Sequence, residues 1–194
     1  MTVAVLRSRG RRIPLLIVAV GVATALRLLV GAPTPAASPS AGLLFGAVLM
    51  AAVVVAGSGV GPATWSGVIV GIVGGAALVA VALVGLPAIT VGPRASAATF
   101  WWWVPLVSLI ALSEELVLRG VLFSALSHEF GDALAVVATA ALFAVIHLPL
   151  YGLGAMPVDL CVGVFLGALR VASGGVAAPA AAHVLADLAT GWLP

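Results

Sequence analysis

Residues 104–123 read VPLVSLIALSEELVLRGVLF, an apolar run that nevertheless holds Glu114, Glu115 and Arg119. About 20 apolar residues cross the hydrocarbon core of a bilayer, so the stretch is long enough to span. A charge at the centre of such a helix costs about 2.5–3.5 kcal/mol on insertion scales. Three charges there require partners in a protein interior. The rest of the chain decides that the bilayer is the setting. Of 194 residues, 63% are hydrophobic and 7% charged, with a mean hydropathy of +1.32. A soluble domain carries about 25% charged residues because its surface faces water. The length allows roughly six to eight crossings. The expected fold is all-α: a polytopic bundle of about seven transmembrane helices enclosing a polar intramembrane cavity.

Apolar stretches separated by Gly, Pro, Ser and Thr place helices near 13–31, 42–58, 63–87, 98–126, 132–149, 157–172 and 176–193. The stretches Ala32 to Ser40 and Ala88 to Ala97 read as loops. Residues 1–97 would supply the first helices and residues 98–194 the charged ones, in one continuous membrane domain. Arg7, Arg9, Arg11 and Arg12 precede the apolar run from Ile13, as in a signal peptide. The run continues through Arg27 to Val30, which favours an uncleaved first helix.

All eight basic residues are Arg, and the dominance of Ala, Gly and Val suits a high-GC bacterial genome. With the N-terminus cytoplasmic, Arg7, Arg9, Arg11, Arg12 and Arg170 fall inside and Arg94 outside. This describes a multi-pass protein of the cell membrane in contact with lipid. Trp65, Trp101, Trp102, Trp103 and Trp192 lie at expected helix ends, where aromatic belts form. No basic patch points to nucleic acid. Cys161 is a lone cysteine, so there is no disulfide framework, and it reads as a small buried hydrophobe. Gly67, Gly71 and Gly75, and likewise Gly163 and Gly167, recur every four residues as close-packing faces.

Glu115 and Arg119 are four apart and can pair on one face. Glu114 points about 100° away without a partner on its own helix, which suits a proton-transfer group. Phe143 and His147 share a face of the next charged helix, and His183 and Asp187 a face of the last. Three apolar helices thus each carry one compact polar group, and in a bundle these faces turn inward. A Glu and two His residues could activate water and stabilise an oxyanion.

Glu114-Glu115-x-x-x-Arg119, Phe143-x-x-x-His147 and His183-x-x-x-Asp187 resemble, in order, the three motifs of the CPBP family, the CAAX proteases and bacteriocin-processing (Abi) proteins. The resemblance covers roughly residues 98–193. It implies an all-helical membrane bundle around a cavity and hydrolysis of a peptide or protein substrate, membrane-associated substrates included. Carried over by position, Glu114 resembles the catalytic glutamate and His147 the histidine that helps it activate water. His183 and Asp187 match the oxyanion-stabilising positions, and Glu115 and Arg119 the supporting pair, with Phe143 beside them. The last position is typically Asn in the family. Asp187 can donate a hydrogen bond only when protonated; ionised, it could instead hold His183 as imidazolium.

Glu114, His147 and His183 could also hold zinc with one open position, although no His-Glu-x-x-His occurs; His128-Glu129-Phe130-Gly131-Asp132 is a near miss at a helix end. The preferred reading uses no metal and takes Glu114 as general base. His147 falls just before Pro149 and Tyr151, so either its helix extends past Pro149 or the chain re-enters the bilayer. A rhomboid-type serine protease fits less well, because Ala56-Gly57-Ser58-Gly59 lacks the first Gly. An aspartyl protease would need Asp159 and Asp187 paired. The rival from another class is a non-catalytic membrane protein, such as an immunity protein, a scaffold or a small transporter.

Overall fold

The computed structural model describes residues 12–30, 38–57, 59–85 and 99–192, with Thr190 and Trp192 as backbone only. Arg7, Arg9, Arg11, Ser58, Arg94, most of the 32–40 loop and the 88–97 loop lie outside the described residues, as does the side chain of Trp192.

The described chain is helical. Its elements are α1 (Arg12–Leu29), α2 (Pro39–Ala56), α3 (Trp65–Gly85), α4 (Phe100–Glu115), a π-helical segment (Leu116–Leu122), α5 (Phe123–Phe130), α6 (Asp132–Tyr151), α7 (Met156–Ser173) and α8 (Ala177–Trp192). Local chemistry sets several ends. Pro39 opens α2, where it has no N–H to lose, and the Ser38 hydroxyl accepts from the Ala41 N–H. Thr64 Oγ1 accepts from the Gly67 N–H at the start of α3. Gly131, at φ 84°, separates α5 from α6 in a conformation that side chains resist.

Helices α1, α2, α3, α6 and α7 are each long and apolar enough to cross a membrane. Their outward faces carry large apolar side chains such as Ile69, Val73, Val84 and Val137, the signature of a surface meeting lipid. The protein is therefore a multi-pass membrane bundle. Helices α4, the π segment and α5 run on as one rod, matching the helix expected near 98–126 but continuing to Phe130. Helix α6 extends through Pro149 to Tyr151 and ends at Gly152, which resolves the position of His147: it lies within a helix, and no re-entry is needed.

The glycine faces pack as expected. A Cβ on Gly75 would stand 2.9 Å from the carbonyl oxygen of Ala182, and one on Gly163 2.8 Å from Ala140 Cα. Gly71 meets Ala178 in the same way. So α3 lies against α8 and α7 against α6 at backbone distance. Two expectations need correction. Cys161 is exposed rather than buried, because its side of α7 has no neighbour among the described residues. Trp103 does not join the exposed Trp101 and Trp102 at the interface; it turns inward and packs on Gly191 of α8.

Candidate active site

The π-helical segment lies directly after Glu114 and Glu115. A π turn hydrogen-bonds across five residues instead of four, an arrangement found mostly in single turns at functional sites. Around it, Arg170 of α7 donates from Nε to the carbonyl oxygen of Arg119 at 2.8 Å and sits over the Phe123 ring at 5.2 Å. Arg170 also reaches Ser124 Oγ at 3.3 Å, and Ser124 in turn donates to the Gly59 carbonyl. A charge counted as an interfacial marker is thus a brace across the wall of the site.

Glu115 and Arg119 form the expected pair, Oε1 to Nη1 at 2.8 Å, with both side chains fully buried. Arg119 also donates from Nη2 to the Gly163 carbonyl at 3.0 Å and lies 4.8 Å from the Phe143 ring centre. The absence of a side chain at Gly163 is what lets α7 come close enough to present that carbonyl. Glu115 does more than support Arg119. The same Oε1 stands 2.9 Å from His183 Nδ1, joining α4 to α8. A carboxylate only accepts, so His183 carries its proton on Nδ1 toward Glu115.

His147 is fixed from the other side. Its Nδ1 lies 2.8 Å from the Phe143 carbonyl oxygen, one turn back on α6. A carbonyl also only accepts, so Nδ1 donates and the neutral ring presents Nε2 as a lone pair. Phe143 packs on both histidines, 4.3 Å from His147 and 5.4 Å from His183 between ring centres, and Tyr151 stacks on His147 at 5.6 Å.

Glu114 sits between the two rings. Its Oε2 is 3.9 Å from His147 Nε2 and 3.9 Å from His183 Nε2. Both gaps are too long for a direct hydrogen bond. The unpartnered carboxylate expected from the helix geometry therefore faces two ring nitrogens on other helices. Asp187 Oδ1 approaches His183 Nε2 at 3.5 Å, and its side chain is 40% exposed, placing it at the rim. Glu114, Glu115, Arg119, Phe143, His147 and His183 are buried and converge in one cluster between α4, α6 and α8; Asp187 borders it.

Among the described residues no set of three His, Cys, Asp or Glu side chains is placed to hold a metal ion. Tetrahedral zinc with bonds near 2.0–2.1 Å would bring its ligand atoms to about 3.4 Å of one another, closer than the 3.9 Å separations around Glu114.

His128 and Glu129 stand in the exposed last turn of α5, 3.8 Å apart and away from this cluster. Asp159 lies in the first turn of α7. The residues that sequence reasoning missed are Arg170 and Gly163. Arg170 gave no signal beyond a charge near a helix end; Gly163 was legible as a packing position but not as the source of a carbonyl for Arg119.

The family model described as type II CAAX prenyl endopeptidase Rce1-like matches residues 96–189. No curated protein and no solved structure matches the chain.

Proposed function

We propose that the chain, whose residues 96–189 match the model of the Rce1-like type II CAAX prenyl endopeptidases, is an intramembrane endopeptidase using a Glu/His-activated water. The observation that carries this reading is the 3.9 Å spacing of Glu114 Oε2 from His147 Nε2. Both atoms are acceptors, and a water between them can donate one proton to each.

In this scheme the water attacks the carbonyl carbon of the scissile peptide bond and gives a proton to Glu114. His147 holds the water's second hydrogen and aligns its lone pair. The developing oxyanion meets His183 Nε2, which donates when the ring is doubly protonated. Glu115 at Nδ1 and ionised Asp187 near Nε2 support that form electrostatically. As the carbon–nitrogen bond breaks, Glu114 delivers its proton to the leaving amine. The new acid group keeps the water's second hydrogen until it passes it to His147, leaving a carboxylate and an amine. Asp187→Asn removes one support of the imidazolium while keeping a donor. An unchanged activity and pH profile in that variant would sink the assignment.

The substrate is a peptide or protein within or at the membrane; prenylation is not part of the proposal. The scheme routes no step through a metal. Loss of activity in a chelator, with recovery on added zinc, would overturn that part. The proposal also has the chain in a bacterial cell membrane with its N-terminus cytoplasmic. In support, Arg12 and Ser124 line one pocket and Arg170 bonds Ser124, so these two arginines share one end of the bundle.

The test compares new protein termini in membranes containing equal amounts of wild type and Glu114→Gln. Termini found only with wild type support the peptidase. Identical termini with both variants folded favour an immunity, scaffold or transport role.

A further inference from the structure

Arg27 occupies the last turn of α1, outside the family-matched residues, and is 3% exposed. A cation near the end of a membrane helix ordinarily extends its long side chain to the interface. Arg27 instead points into the bundle, with its guanidinium carbon 5.1 Å from the Phe45 ring centre of α2. None of the ion pairs among the described residues involves it. The bundle therefore encloses a guanidinium.

Its surroundings lead to the polar cluster. Gly42, one turn from Phe45 on α2, packs on Ile110, and Gly46 lies against Ser113, the residue before Glu114. Arg27 is close enough to Glu114 to act on it electrostatically. Arg27 also acts on Tyr151, which stacks on His147 at the rim. The charge therefore borders the place where a peptide would lie against Glu114.

A guanidinium resting on an aromatic face presents a planar fork of N–H groups whose geometry matches a carboxylate. We propose that Arg27 is a substrate-binding residue that takes a carboxylate of the peptide, either its C-terminus or an acidic side chain. This rests on the peptidase reading and adds a specificity-determining contact to it. The N-terminal helices then belong to the substrate site as well as to the membrane anchor.

Binding can be measured apart from cleavage in the full-length Glu114→Gln chain. The probes are three fluorescent apolar pentapeptides in detergent micelles: one with a free C-terminal carboxylate, its C-terminal amide, and the amide with one internal glutamate. The first should bind about tenfold more tightly than the plain amide if the C-terminus is the ligand, and the third should do so if a side chain is. Adding Arg27→Gln should abolish the preference without weakening the amide. Arg27→Lys, which keeps the charge but loses the fork, should retain part of it. Equal binding of all three peptides, binding of none, or a preference that survives Arg27→Gln overturns the assignment. Failure of the peptidase reading has a separate signature: the wild-type chain would bind the preferred peptide and leave it uncut.

Discussion

Arg170 Nε stands 2.8 Å from the carbonyl oxygen of Arg119, so a cation on α7 holds the backbone of the π turn that follows Glu114 and Glu115. Hydrogen bonds to charged groups contribute about 1.5–3 kcal/mol. Arg170→Gln should lower stability by about that amount in detergent unfolding. It should also reduce kcat more than it raises KM, because the turn sets the direction of Glu114. Unchanged unfolding and kinetics would mean that the π turn holds itself.

The buried Glu115–Arg119 pair predicts a non-additive series. Removing one partner of a buried pair costs about 3–5 kcal/mol, since the other charge is left uncompensated. Arg119→Met and Glu115→Leu should each destabilise strongly, and the double variant less than their sum. Glu115→Leu also frees His183 Nδ1, so the double variant should recover stability without recovering peptide cleavage. An additive double variant would show that the pair is not energetically coupled.

Glycine positions separate by what faces them. A Cβ on Gly163 would meet Ala140 backbone at 2.8 Å, whereas one on Gly21 meets nothing within 4 Å. Gly163→Ala should cost about 1–3 kcal/mol through overpacking. Gly21→Ala should be neutral or stabilising by up to about 1 kcal/mol through helix propensity. Thermal unfolding of both variants in one detergent checks the contrast, and equal effects would contradict the packing of α7 on α6.

Orientation can be tested from the two ends of α6, whose 20 residues span about 30 Å. Phe130 and Leu153 flank it and are exposed. In a Cys161→Ser background, with the N-terminus cytoplasmic, a membrane-impermeant maleimide should label Leu153→Cys in intact cells and Phe130→Cys only after lysis. The reverse pattern would invert the topology.

The seven helical stretches and the three polar motifs were legible because both signals are local: long apolar runs broken by Gly and Pro, and charges set four residues apart. What escaped depends on contacts between helices. The π turn has no signature in LVLRGVL. Glu115 was readable as a partner for Arg119 on its own helix, but its bond to His183 joins residues 68 apart in sequence. Trp103 follows two exposed tryptophans and differs from them only because Gly191 leaves a recess for it. A lone apolar Cys161 reads as interior by the logic of soluble proteins; against lipid, that inference loses its force. The catalytic roles come from resemblance and proposal, while the convergence of Glu114, His147 and His183 is a property of the structure.

The seating of α8 on Gly71 and Gly75 bears on how the chain could be rebuilt. These glycines lie before the first family-matched residue, yet they set how far along the bundle axis His183 stands relative to Glu114. A chimera that transplants residues 96–189 onto unrelated leading helices would carry every motif and still present its histidine at the wrong height. The family-matched half is therefore not a portable cassette; its mould is α3, the helix that precedes it.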